Sequence, residues 1–223
     1  MNCIRNAILI LLLTYGTVYA QVAPPFWNDI VSFKQQDLLN YPLRNGILFI
    51  GSSSFTRWNN IHSAFAGYPI VNRGFGGSML PHLIRYSYDI IIPYRPKQVI
   101  IYCGENDFAS SDSISVAEVV KRFKTLFGMI RENLPMATID FISMKPSPVR
   151  AGIQSKVKEA NRKIRLFLNK QKDARFIDIY PAMLDKHGNM REDLYVEDRL
   201  HMKPEGYLIW QKIIQPYLLK GLQ

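Results

Sequence analysis

Four short clusters in the 223-residue chain carry side chains suited to acyl transfer. Gly51-Ser52-Ser53-Ser54 sets three hydroxyls directly after the apolar run Ile47-Leu48-Phe49-Ile50. A serine on a strand-to-helix turn presents its hydroxyl outward, beside the unpaired backbone N–H groups of a helix start. Asn72-Arg73-Gly74-Phe75-Gly76-Gly77-Ser78 places three glycines in four residues, which lets backbone approach a ligand closely or take positive φ. Gly104-Glu105-Asn106-Asp107 holds an asparagine whose side-chain N–H could face a developing oxyanion. Asp198-Arg199-Leu200-His201 pairs an imidazole with a carboxylate three residues earlier. Such a partner fixes the tautomer of a base and supports its imidazolium form.

Taken singly, each cluster has an ordinary reading. Gly-Ser runs and glycine-rich loops make tight turns. Asn and Asp after a strand cap helices, and an Asp-His pair can simply sit on the surface. Several specific chemistries are excluded. Phe55 stands where G-x-S-x-G needs its second glycine, so the common α/β-hydrolase elbow is not matched. The loop around Gly74 lacks the Lys-Ser/Thr of a P-loop and the third glycine of G-x-G-x-x-G. No Cys/His/Asp cluster offers metal-ligand spacing. His62, His82 and His187 have no carboxylate three residues before them. No metal or organic cofactor is implied.

These clusters need a scaffold, and the hydropathy pattern supplies one. Short apolar runs alternate with helical patterns, which predicts a parallel sheet with helices on both faces. Strands are expected at 47–50, 69–72, 98–103, 138–143 and 175–179, and helices at 81–92, 116–132, 154–170 and about 204–219. Ser115-x-x-Glu118 is a capping-box signature, Pro135 follows the end of that helix, and Pro204 suits a first turn. Open sheets of this kind place their sites beyond the carboxyl ends of the strands, where all four clusters fall. No linker or composition shift divides the chain from residue 25 onward, so 21–223 reads as one three-layer α/β/α domain.

Residues 1–20 read as a secretory signal, with Arg5, an apolar run over 7–13 and Val18-Tyr19-Ala20 as a cleavage site. The uncharged stretch 6–20 is shorter than the ~20 apolar residues of a spanning helix. Beyond it the chain keeps one thiol, Cys103, in a strand-like run that suggests a core position. These features predict an exported protein, periplasmic, at the cell surface or extracellular. The net charge is +10, with 48% hydrophobic and 21% charged residues, a globular balance. Between 145 and 175, ten Lys/Arg face only Glu159 and Asp173. Val157, Ala160, Ile164 and Phe167 recur there at helical steps, so an amphipathic helix with a basic outer face is expected. That face could make weak contact with anionic surfaces, although a solvated face is the commoner outcome. No nucleic-acid recognition module appears.

In combination the clusters resemble the SGNH, or GDSL-type, hydrolase family. Its ordered blocks are a serine after the first strand, a glycine after the second, an asparagine in G-x-N-D, and a late D-x-x-H. The resemblance covers nearly all of residues 21–223. It is closest to the platelet-activating-factor-acetylhydrolase-like branch, through Asn72-x-Gly74-x-Gly76-Gly77 and Leu200-His201-x-x-x-x-Gly206-Tyr207. It implies a flavodoxin-like fold with a central parallel five-stranded sheet. By position it implies Ser53 as nucleophile, His201 as base and Asp198 as its orienting partner. The oxyanion donors would be the Ser53 and Gly77 N–H groups and the Asn106 side chain. One position departs: Ser52 stands where the family usually has Asp, which leaves Ser52 and Ser54 as rival nucleophiles. The implied function is a secreted serine esterase or acylhydrolase. The absence of an evident lid or long apolar insertion points to short acyl groups, such as acetyl esters on small molecules or polysaccharide. Two alternatives are a lysophospholipase-like acylhydrolase and a non-catalytic envelope- or carbohydrate-binding protein on the same fold.

Overall fold

Five apolar runs become strands: β1 (Ile47–Gly51), β2 (Ile70–Gly74), β3 (Gln98–Tyr102), β4 (Thr138–Ile142) and β5 (Ala174–Ile177). The computed structural model describes residues 23–221, so the segment read as a signal lies outside it. The strands form one all-parallel sheet ordered β2-β1-β3-β4-β5. Alternate side chains feed two cores. Leu48, Ile50, Val99, Ile101, Ile139 and Phe141 enter one, and Ile47, Phe49, Ile100, Tyr102 and Ile142 the other. Burial on both faces explains why these strands read as continuous apolar runs rather than alternating ones.

The helices are α1 (Trp27–Leu39), α2 (Ser53–Thr56), α3 (Ile61–Ala64), α4 (Leu80–Arg85), α5 (Ser87–Ile90), α6 (Glu105–Ser110), α7 (Val116–Asn133), α8 (Gln154–Leu168) and α9 (Pro204–Ile214). The first core takes Ile30 of α1, Leu83 of α4, Phe123 of α7 and Ile164 of α8. The second takes Phe55 of α2, Ile61 of α3 and Trp210 of α9. The layers are therefore α/β/α, as the sequence predicts. Strand order reverses between β1 and β3, which opens a crevice beyond their carboxyl ends.

The departures from expectation have local causes. The helix expected over 81–92 breaks at Tyr86 (φ −97°, ψ 11°), between α4 and α5. Ser87 Oγ there donates back to the Ile84 carbonyl at 2.9 Å. The last helix stops at Ile214 and tightens into a 3₁₀ turn, Gln215–Tyr217, because Pro216 cannot continue it. Strand β5 ends at Ile177, and the next free N–H groups, of Ile179 and Tyr180, donate to Ser143 Oγ at 3.0 and 3.1 Å. Ser115 caps α7 by accepting from the Glu118 N–H at 3.1 Å, but the Glu118 carboxylate pairs with Arg122 instead of closing the box.

The sequence pattern predicts no helix over 27–39, where α1 forms. The helix buries only Ile30 fully, and polar anchors dock it. Asp37 accepts from Arg73 Nη2 and from the Tyr94 hydroxyl, both at 2.5 Å. Tyr86 donates to the Pro25 carbonyl at 2.6 Å.

Aromatic packing dominates the face under α7. The Phe123 ring is fully buried and lies 4.8 Å from that of Phe141, with Phe127 and Phe167 beside it. Phe123→Ala is expected to cost about 3–5 kcal/mol. Urea unfolding should show this as a lower midpoint with an unchanged slope.

Candidate active site

The first cluster is set by a glycine. Gly51 ends β1 at φ +149°, and a Cβ there would lie 2.0 Å from the Tyr102 carbonyl oxygen. Only glycine lets β1 and β3 close at that register. The Ser52 N–H then donates to Tyr102 O at 3.1 Å, and the chain turns into α2, whose first residue is Ser53. The three hydroxyls differ in access. Ser52 and Ser54 are buried, whereas Ser53 is half-buried. Ser53 Oγ lies 3.1 Å from His201 Nε2.

His201 arrives from the loop before α9. Its Nδ1 lies 2.5 Å from Asp198 Oδ2. The other carboxylate oxygen accepts from the Leu200 and His201 N–H groups at 2.9 and 2.8 Å, so both backbone and imidazole hold Asp198. Burial pushes its carboxyl up, but those N–H groups and the imidazole outweigh burial and bring it down to about 2. The loop is tied at its ends. The Val196 N–H donates to His201 O at 2.9 Å, and Arg199 O accepts from the Val149 N–H at 3.2 Å.

The glycine loop after β2 passes beside the serine. A Cβ on Gly76 would sit 4.0 Å from Ser53 Cβ, and Gly77 takes φ +80°. Among the described residues, neither the Gly77 nor the Ser53 N–H donates to a protein acceptor. Asn106, in the first turn of α6, faces the same turn. Its Nδ2 donates to Ser52 Oγ at 2.7 Å and to Ser78 O at 2.9 Å. The structure thus gathers Ser53, Gly77, Asn106, Asp198 and His201 at the mouth of the sheet. The neighbouring Asp107 serves the scaffold instead: it accepts from the Leu80 N–H, which starts α4, at 3.0 Å and from Arg122 at 2.8 Å.

Five residues to which the sequence assigns no part in the site, Tyr102, Glu105, Lys145, Ser147 and Arg150, stand behind Asn106. Glu105 is buried, and its carboxylate accepts from Ser147 Oγ at 2.5 Å, Tyr102 Oη at 2.8 Å and Lys145 Nζ at 3.0 Å. Arg150 Nη1 lies 3.2 Å from the same carboxylate, and Arg150 Nη2 donates to Asn106 Oδ1 at 2.7 Å. Burial pushes the Glu105 carboxyl up, yet Lys145, Arg150 and Ser147 together hold it below the usual range. The sequence pattern groups Lys145 and Arg150 with the basic helix face. In fact they precede α8, with Lys145 buried and Arg150 half-buried. A sequence signal is present: Lys145 follows three residues after the end of β4, and Arg150 lies in the same connection, where such folds gather their sites.

Chemically, the Asp198–His201–Ser53 chain can move a proton off a hydroxyl while N–H groups converge beside it. Among the described residues no group of His, Cys, Asp and Glu could hold a metal ion, and no helix is long and apolar enough to cross a membrane.

No curated protein matches the chain. By structure it is similar to a candidate platelet activating factor from Streptococcus pneumonia, with TM-score 0.75, 20% identity, and 86% of this chain and 92% of that one covered. It is also similar to a GDSL-like lipase from Bacteroides thetaiotaomicron, with TM-score 0.73, 18% identity and coverage of 84% and 96%. A third similar structure is an acetyl-xylooligosaccharide esterase from Geobacillus Stearmophilus, with TM-score 0.63, 15% identity and coverage of 82% and 98%. Residues 48–209, which run from β1 into α9 and hold every clustered residue, match the model of the GDSL-like Lipase/Acylhydrolase family. On that match the chain belongs to the GDSL-like lipase/acylhydrolase family of ester-hydrolysing serine hydrolases.

Proposed function

We propose that the chain is an exported esterase that cleaves short-chain carboxylic esters through an acyl-enzyme on Ser53. The observation that carries this reading is the unbroken hydrogen-bonded run Asp198–His201–Ser53. Ser53 Oγ attacks the ester carbonyl while His201 Nε2 takes its proton, and Asp198 supports the imidazolium. The carbonyl oxygen becomes an oxyanion held by the Ser53 and Gly77 N–H groups and Asn106 Nδ2, which exchanges Ser52 Oγ for it. His201 returns the proton to the departing alkoxide. A water, deprotonated by His201, then attacks the acyl carbonyl and releases the acid and free Ser53. No metal or organic cofactor enters any step.

Short acyl groups, acetyl above all, are favoured because the sequence between the site clusters carries no long apolar insertion or evident lid. The similar acetyl-xylooligosaccharide esterase agrees with an acetylated carbohydrate or small-molecule substrate. A lysophospholipid substrate would draw on the basic 145–175 segment, but much of that charge is already paired. Arg162 and Lys163 face Glu159, Arg165 faces Asp178, and Arg175 faces Asp140. Contact with anionic surfaces is therefore secondary and weakened by salt. A non-catalytic binding role leaves the aligned serine and imidazole unexplained. Export rests on the leader-like residues 1–20.

The test is a chain-length series of p-nitrophenyl esters. The value of kcat/KM is expected to fall tenfold or more from acetyl to octanoyl. A rise toward octanoyl would overturn the short-acyl reading and favour a lipid substrate.

A further inference from the structure

We infer that Arg150 is a positioning residue for the ester chemistry, acting through the Asn106 amide. This rests on the proposed role of Asn106 as an oxyanion donor. Two neighbours fix the orientation of the amide. A guanidinium has only N–H donors, so the Asn106 atom facing Arg150 Nη2 at 2.7 Å is the amide oxygen. The Ser78 carbonyl, an acceptor only, takes the amide nitrogen at 2.9 Å. Between them the two neighbours permit one orientation, with the second N–H aimed toward the nucleophile turn at Ser52.

The charge of Arg150 reinforces this placement. A cation on the amide oxygen draws electron density from the nitrogen and makes its N–H a stronger donor. That gain grows when the acceptor becomes an oxyanion, so it favours the transition state over bound ester. Arg150 is itself held in place. Its Nη1 lies 3.2 Å from the buried Glu105 carboxylate, which sits one residue before Asn106. Lys145, Ser147 and Tyr102 fill the rest of that carboxylate's hydrogen-bonding capacity. The cluster links the carboxyl ends of the neighbouring strands β3 and β4. It also explains why a cation pair is kept beside an otherwise neutral amide.

Removing Arg150 leaves Glu105 with three remaining donors, so the fold should survive. With p-nitrophenyl acetate, Arg150→Ala is expected to lower kcat about 10- to 100-fold with KM within about threefold, less than the ~10²–10³ of a lost oxyanion donor. Arg150→Lys should fall between, since it keeps the charge but not the fork geometry. The decisive readout is a double-mutant cycle with Asn106→Ala. If Arg150 works through the amide, Arg150→Ala should change kcat less than about threefold once Asn106 is gone. Equal losses in both backgrounds would overturn the inference and indicate general support of the loop, to which the Val149 N–H is also tied. Unchanged kcat in Arg150→Ala would overturn it as well, while phosphonate labelling of Ser53 in the same sample would show that the esterase reading still stands. Should Arg150→Ala lose its fold by circular dichroism, the cycle is run with Arg150→Lys, and the same two patterns decide.

Discussion

Replacing Ser53 by alanine is expected to lower kcat for p-nitrophenyl acetate by about 10⁴- to 10⁶-fold. No other described hydroxyl lies within hydrogen-bond reach of the His201 imidazole nitrogen. Ser52 Oγ faces Asn106, and Ser54 is buried on α2. Neither can take over the attack without rebuilding the turn at Gly51. The residual rate should reflect the N–H groups and His201 acting on water directly. The variant should fold normally, because Ser53 is only half-buried and its hydroxyl has no other protein partner among the described residues. KM should change little, since Oγ contributes to the transition state rather than to ester binding. A loss below tenfold would assign the attack elsewhere.

Asp198→Asn is the second large effect, expected at about 10³- to 10⁴-fold in kcat. One carboxylate oxygen faces two backbone N–H donors, of Leu200 and His201. In the variant the amide oxygen must stay there, which turns the amide NH₂ toward His201 Nδ1. The imidazole then has to accept at Nδ1 and carry its proton on Nε2, facing Ser53 as a donor. A base with its proton on the wrong nitrogen cannot accept the serine proton. The backbone N–H groups and the imidazole hold the Asp198 carboxyl down to about 2, so it stays ionised at ordinary assay pH, and its support of the loop is lost only as pH falls through that value. Asp198 should therefore contribute no step of its own to the pH profile of kcat/KM in that range. A carboxylate-like step there that disappears in Asp198→Asn would contradict this.

Much of the placement of these side chains is legible in the sequence. Gly51-Ser52-Ser53, Gly77, Asn106 and the Asp198–His201 pair each follow an apolar strand or precede a helix, and a parallel sheet brings strand ends together. What was not legible has physical causes. Helix α1 has only a short apolar stripe, Trp27, Ile30 and Phe33; its Leu38 and Leu39 are exposed, and Asp37 docks its end through Arg73, a partner 36 residues away. Local periodicity cannot report such an anchor. The Glu105–Lys145–Arg150 cluster was hidden differently. Composition counts a buried lysine and a surface lysine alike, so the two cations merge into a basic run centred on α8. Only the β3–β4 pairing, which sets Glu105 against residues some 40 positions later, separates them. Ser52 shows the reverse case. Its departure from the usual aspartate was visible in the sequence, but its hydrogen bond to Asn106 needed the fold.

The most direct test of the account is labelling with a fluorophosphonate probe, followed by peptide mapping, on wild type and Ser53→Ala. The account predicts one labelled peptide with the adduct on Ser53, absent in the variant and lost together with p-nitrophenyl acetate hydrolysis. Label on Ser52 or Ser54, or a folded wild type that takes no label, would contradict it.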